Sequence, residues 1–156
     1  MIGAYLTSKR TLIINKSTLP IGTNRRVESI IRQAYRENHR AANESFMIAH
    51  NPEFLRQGSA IHDTLYPDRI VLGSDSAEAL GILKTLYRSI VDQTFEAPEF
   101  LPRAEGLYGV PLVTTDLASA EIIKYAANAF LALKISFANE LAQLTERVNA
   151  DISQVI

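Results

Sequence analysis

At 156 residues, with 47% hydrophobic and 21% charged side chains, the chain has the length and balance of one folded domain and is too apolar to be disordered. A formal net charge of -1 offers no long-range attraction to nucleic acid or to an anionic membrane surface, and the absence of cysteine excludes disulfides, thiolate metal sites and a cysteine nucleophile within these residues. The opening MIGAYLTSKRTLIIN carries too short an apolar stretch for a signal peptide or a membrane span, so a cytoplasmic location is the expectation.

Residues 11 to 15 are a short β-branched and apolar run that empties into the turn-prone KSTLPIGT, the pattern of a buried strand and its exit loop. Thr23 or Asn24 can cap a helix, and Val27, Ile30, Ile31, Ala34 and Tyr35 then recur at three- and four-residue spacing over 25 to 38, with arginines on the outer face. Phe46 to Ala49 is a second strand, stopped at His50-Asn51-Pro52, where proline forces the preceding residue into extended geometry. A loop or short helix spans 54 to 66. Asp68 to Gly73 reads as a third strand, and Ser76 opens a helix whose apolar positions are Ala79, Leu80, Leu83, Leu86 and Tyr87. Prolines 98, 102 and 111 mark an irregular connection before a short strand at 111 to 114. Asp116 caps a longer element. From Leu117 to Val148 there is no glycine or proline, and Ile122, Ala126, Phe130, Leu133, Phe137, Leu141, Leu144 and Val148 hold one helical strip. This predicts a single helix of roughly 30 residues, about 45 Å long at 1.5 Å per residue. Such a helix overhangs a domain this small and is expected to pack on another domain or a second copy. Ala150-Asp151-Ile152 reads as the start of a further helix.

Alternating strands and helices with a long terminal helix favour an α/β sheet. The glycines never form GxGxxG, so the pattern gives half of a doubly wound sheet without its phosphate cradle.

Three groups of residues could carry chemistry. Lys16 to Thr23 sits where a strand ends, which is where open α/β sheets place ligands; a plain turn is the alternative. In Asn51-Pro52-Glu53-Phe54-Leu55-Arg56-Gln57-Gly58, the Glu53 carboxylate beside the apolar Phe54-Leu55 pair could serve as a base toward water or an alcohol, and a surface glutamate in a turn is the bland reading. Lys124 and Asn128, at i and i+4, stack an ammonium and an amide on one helix face among small and apolar neighbours, where together they could donate to a developing oxyanion; a solvated lysine is the alternative. His39, His50 and His62 lack metal-ligand spacing, and no metal site is expected. Arg25, Arg26, Arg32 and Arg36 read as a solvated helix face rather than a phosphate site.

Four stretches together resemble the family of UDP-glucose and GDP-mannose dehydrogenases: KSTLPIGT at 16 to 23, NPEFLRQGSAIHD at 51 to 63, PDRIVLG at 67 to 73, and TTDLASAEIIKYAANAFLALKISFANELAQL at 114 to 144. They occur in the family's order, and the wording of ASAEIIKYAANAF and NPEFLR lies nearer the UDP-glucose branch. The resemblance implies a partial Rossmann-like parallel sheet followed by a long central α-helix. Residues 1–115 would be the C-terminal half of the NAD-binding domain, and residues 116–156 part of the central helical, dimerising region.

In that family the C6 alcohol of a nucleotide sugar is oxidised twice at the expense of two NAD, through a thioester on a cysteine that water then hydrolyses. Carried over by motif position, the resemblance makes Glu53 the general base for hydrolysis. Thr18 would position the water near the nicotinamide, Ser17 and Thr18 would touch NAD, and Lys124 and Asn128 would stabilise the oxyanion. Glu53, Phe54, Leu55, Arg56, Lys124 and Asn128 would line the sugar nucleotide. Gln57 stands where many members have a glutamate near the cofactor; it keeps the reach and loses the charge. The implied whole is an enzyme converting UDP-glucose to UDP-glucuronate, of which this chain, lacking cysteine and the glycine motif, is a fragment inactive alone. The alternatives are a non-catalytic helical dimerisation module and a dehydrogenase for GDP-mannose or a UDP-hexosamine. A homodimer through the 117–148 helix is expected.

Overall fold

The computed structural model describes residues 2–6, 10–38 and 46–156. In chain order these form α1 (Ile2–Tyr5), β1 (Thr11–Asn15), α2 (Thr23–Asn38), β2 (Phe46–His50), α3 (Ala60–Leu65), β3 (Ile70–Gly73), α4 (Ala77–Val91), β4 (Leu112–Thr115), α5 (Leu117–Arg147) and a 3-10 turn at Ile152–Gln154. The chain divides into two compact units, Met1–Lys124 and Tyr125–Ile156.

The first unit is built on a four-stranded sheet in the order β1-β2-β3-β4. β1 and β2 are parallel from Thr11–Phe46 to Asn15–His50, and β3 and β4 are parallel from Ile70–Leu112 to Gly73–Thr115. β2 and β3 meet antiparallel through the single pair His50–Gly73, so the expected Rossmann-like parallel sheet is mostly parallel with one antiparallel junction. A parallel pair needs a crossover that returns the chain to the strand's starting end. α2 and α4, of 16 and 15 residues, can do so. Between β2 and β3 the connection holds only the six-residue α3, and β3 comes back toward β2 so that the last residues of the two strands pair. Two side chains supplement the short β2–β3 ladder: Ser74 Oγ donates to Ile48 O at 2.7 Å and Asn51 Nδ2 to Val71 O at 3.0 Å.

Both sheet faces are covered. Alternation along the strands sends Ile13, Phe46 and Ile48 to one side, where they pack with Leu6, Ile31, Tyr35 and Leu117. It sends Leu12, Ile14, Ala49 and Leu72 to the other, against Leu80, Leu83 and Tyr87 of α4. Gly73 marks the tightest approach: a Cβ there would lie 2.4 Å from Ala120 Cβ and 2.8 Å from Asp116 O, so the first turn of α5 presses on the end of β3.

Helix ends follow local chemistry. Ser76 caps α4 by accepting from Ala79 N at 3.2 Å, and Asp116 caps α5 by accepting from Ser119 N at 2.8 Å. α5 stops one residue short of Val148, and Asn149 follows in the left-handed region with φ 54°. The helix expected from 150 onward is the short 3-10 turn, capped by Asp151 on Ser153 N at 2.9 Å. In the second unit α5 from Tyr125 onward carries a broad apolar face opposite Asn128, Asn139, Gln143 and Glu146, and Phe130, Leu133, Ile135 and Phe137 are all exposed.

Candidate functional site

The loops leaving β1 and β2 and the first turns of α5 meet in the first unit. Asn51 organises the β2 exit. Its backbone N–H donates to Asn15 O at 2.8 Å, and its Oδ1 accepts from Lys16 Nζ at 2.6 Å and from Tyr87 OH at 2.5 Å. Lys16 Nζ also donates to Tyr87 OH at 3.0 Å. Asn51 is thus buried with its hydrogen-bonding capacity used, and buried Pro52 fixes the backbone that follows. Glu53 emerges from this anchor. Its Oε2 accepts from Leu55 N at 2.6 Å, and its Oε1 lies 3.9 Å from Lys124 Nζ.

Lys124 is 5% exposed, and its ammonium rests 4.8 Å from the centre of the Phe54 ring, with the Arg69 guanidinium 4.4 Å from the same ring. Separation and burial decide how the pair behaves. At 3.9 Å the two charged groups attract, and the attraction is weakened on the Glu53 side because that carboxylate is partly open to solvent. The distance is longer than a hydrogen bond, so an oxygen of a bound molecule can approach both groups. A cavity of about 130 Å³ adjoins, lined among others by Lys16, Asn51, Glu53, Phe54, Arg69 and Tyr87.

A second buried network lies behind the β1 exit. Glu121, 1% exposed, accepts from Gly22 N at 2.6 Å, Asn24 N at 2.8 Å and Asn24 Nδ2 at 2.8 Å. Asn15 Nδ2 donates to Asn24 Oδ1 at 2.5 Å. A carboxylate from α5 therefore caps α2, in place of the local Thr23 or Asn24 cap that the sequence suggests, and Gly22 supplies the turn's left-handed residue at φ 87°. His50, fully buried, hydrogen-bonds Asn15 O through Nδ1 at 3.1 Å, and its Nε2 has no hydrogen-bond partner among the described residues. Burial pushes its pKa below the ordinary value, opposed by the Asn15 carbonyl and the field of Glu121.

The other sequence-predicted positions fall as follows. Ser17 and Thr18 are exposed in the loop after β1. Leu55, Arg56 and Gln57 are exposed, with Gln57 in the turn completed by Gly58 at φ 86°. The Arg56 guanidinium is not free to swing: Nη2 and Nε reach Asp63 at 2.6 and 3.1 Å, and Arg56 N donates to the same carboxylate at 2.8 Å. These bonds hold the Asp63 carboxyl well below the usual carboxylate range. Asn128 is exposed on α5 in the second unit. Of the outer arginines, Arg25 pairs with Asp75 and Glu28, and Arg32 with Glu28 at 2.7 Å. His39 lies outside the described residues. Among the described residues no group of three metal-ligating side chains is assembled, and no helix is long and apolar enough to cross a membrane.

Sequence reasoning held Lys16 and Asn51 within its candidate groups without giving them a role, and missed Tyr87 and Glu121. For Glu121 there was a signal: it lies one helical turn before Lys124 on the same apolar background. For Tyr87 there was none, because its helical spacing is that of a core residue.

The arrangement also tests where a dinucleotide could sit. Pyrophosphate binds at the open N-terminus of the helix that follows a sheet strand. At α2 that position is already filled by the Glu121 carboxylate, so this turn is not a pyrophosphate cradle. The exposed Ser17 and Thr18 hydroxyls remain able to bond a neutral carboxamide or ribose.

Comparison with known proteins places the chain in one family. Residues 1–91 match the NAD binding domain, and residues 118–156 the central domain, of the UDP-glucose/GDP-mannose dehydrogenase family. The UDP-glucose 6-dehydrogenase TuaD of Bacillus subtilis is 46% identical over 154 residues, covering 99% of this chain and 28% of TuaD. A UDP-glucose 6-dehydrogenase of Rickettsia typhi is 39% identical over 148 residues, covering 95% of this chain and 29% of that protein. Among solved structures, a UDP-glucose dehydrogenase from Pyrobaculum islandicum aligns with a TM-score of 0.71 at 37% identity, covering 94% of this chain and 29% of its own. A GDP-mannose dehydrogenase from Pseudomonas aeruginosa aligns with a TM-score of 0.71 at 27% identity, covering 95% and 29%. The chain thus spans under a third of the length of the relatives it matches.

Proposed function

Because the chain belongs to the UDP-glucose/GDP-mannose dehydrogenase family, we propose that it supplies the catalytic carboxylate and ammonium of an NAD-dependent nucleotide-sugar dehydrogenase acting on UDP-glucose. The observation that carries this reading is the approach of Glu53 to the buried Lys124 at 3.9 Å, from a strand exit and a helix far apart in sequence. Glu53 acts as the base that takes a proton from water, and Lys124, with Asn128, donates to the oxygen on which negative charge develops. Phe54, Leu55 and Arg56 line the sugar nucleotide. Ser17 and Thr18, with Gln57, contact the cofactor, and Thr18 holds the water. NAD, when bound, accepts the hydride.

Residues 1–115 are read as part of the cofactor domain and 116–156 as part of the central region. Two NAD would be reduced per UDP-glucose in a complete enzyme of the cytoplasm. The exposed apolar strip of α5 beyond Tyr125 supports a homodimer through the 117–148 helix, because a large apolar helix face is normally covered. A mass measurement in dilute solution giving a stable monomer would overturn that assignment.

The test of the main reading is a chimera in which this chain replaces the aligned segment of TuaD. It is expected to reduce NAD with UDP-glucose, and Glu53→Gln within it is expected to leave a thioester on the relative's cysteine and to lower turnover by about 100-fold or more. Unchanged turnover in the Glu53→Gln chimera refutes the role of Glu53. The chain alone is expected to produce no NADH.

A further inference from the structure

Building on that reading of the site, we propose that Lys16 and Glu121 are positioning residues that align the Ser17–Thr18 segment with the Glu53–Lys124 pair. The segment is tied at both ends, and each tie leads to a different member of the pair. At its start, Lys16 donates to Asn51 Oδ1 and Tyr87 OH at 2.6 and 3.0 Å, and Asn51 precedes Glu53 by two residues with a buried proline between them. At its end, Gly22 N and Asn24 N donate to Glu121 at 2.6 and 2.8 Å, and Glu121 precedes Lys124 by one turn of α5. Thr18 therefore hangs from a loop whose two anchors are also the anchors of the carboxylate and of the ammonium.

Neither residue is placed to do chemistry itself. Both oxygens of Glu121 are engaged and its side chain is sealed from solvent. The Lys16 ammonium is engaged by Asn51 and Tyr87. Directional, charge-assisted bonds at these positions fix distance and angle in a way that apolar packing would not. A shift of 1 Å in a supporting group is enough to cost a site about 100-fold in rate, which is why such anchoring matters.

The experiment is amide NMR and hydrogen exchange on the isotopically labelled chain, with Lys16→Met, Lys16→Arg and Glu121→Gln, and with Lys84→Met as an exposed control on α4. Lys16→Met is expected to move the Thr18, Glu53 and Phe54 signals together, and Lys16→Arg, which keeps the charge and the donors, to restore them. Glu121→Gln keeps the shape of the side chain but turns an NH2 group toward N–H donors. It is expected to move Thr18 and Lys124 and to speed exchange of the Gly22 and Asn24 amides by about 10-fold or more. If Lys16→Met does not fold, Tyr87→Phe removes one of the partners of the same tie and reads the same signals.

Changes confined to immediate sequence neighbours, with Glu53 and Lys124 unmoved, overturn the proposal, as does failure of arginine to restore what methionine disturbs. No cofactor or sugar nucleotide enters this measurement, so an inactive chimera and a failed alignment are separate results.

Discussion

Replacing Glu121 with alanine should be among the most damaging single changes in the first unit. The carboxylate accepts three hydrogen bonds, from Gly22 N, Asn24 N and Asn24 Nδ2. Gly22 is exposed, so its N–H can turn to water. Asn24 is 0% exposed, so its two donors are left without partners. Each stranded buried donor costs about 1–3 kcal/mol, giving roughly 2–6 kcal/mol, partly offset because the mutant no longer dehydrates a carboxylate. A loss of about 3 kcal/mol is therefore expected. For a chain of this length that corresponds to a fall in Tm of roughly 6–12 °C. The comparison is Asp116→Ala, which removes an exposed cap from α5 and should cost about 1 kcal/mol. Urea and thermal unfolding followed by circular dichroism measure both. A Glu121→Ala loss no larger than that of Asp116→Ala would mean that water replaces the carboxylate, and the account of the α2 cap would be wrong.

Two further outcomes follow from the packing and the charges. Gly73→Ala should destabilise by about 1–3 kcal/mol because its Cβ would have to displace Ala120 and the Asp116 carbonyl. Gly81→Ala on α4, where a Cβ meets open space, should be neutral or stabilising by about 0.5–1 kcal/mol, and equal effects at the two glycines would refute the close approach of β3 and α5. Asp63, held low by Arg56, contributes stability that is complete above the ordinary carboxylate pKa of about 3.9 and is lost as pH falls below it. The Tm difference between the unsubstituted chain and Asp63→Asn should therefore be largest near neutrality and shrink below about pH 4; a constant difference would rule this out.

The helices were legible because α2, α4 and α5 each carry a periodic apolar strip with a start signal. Strand positions were legible for the same reason. The direction of β3 was not, because an alternation of strands and helices suggests a parallel sheet, and the single pairing of the last residues of β2 and β3 leaves no periodic mark in the sequence. Four motif stretches pointed to Glu53 and Lys124, and the fold brings those two within an ion-pair distance. What the sequence could not give was the set of side chains holding them. Glu121 looks like any charged residue on a helix, Tyr87 like a core aromatic and Lys16 like a turn lysine, until the first turns of α5 reach the start of α2 and Tyr87 of α4 reaches the strand exits.

That supporting set also constrains how the site can be used. A carboxylate at the N-terminus of α2 places negative charge where a phosphate would otherwise be favoured, and it takes the N–H groups a phosphate would need. The loop after β1 thus disfavours an anionic group at this helix end. Lys124 has the opposite bias: its ammonium, sheltered by Phe54 and adjoined by a single carboxylate, favours any step that builds negative charge on a nearby oxygen. On the function proposed above, these two charges disfavour an anion at the start of α2 and favour one beside Lys124. Exchanging their signs would abolish both preferences while leaving the exposed hydroxyls of Ser17 and Thr18 unchanged.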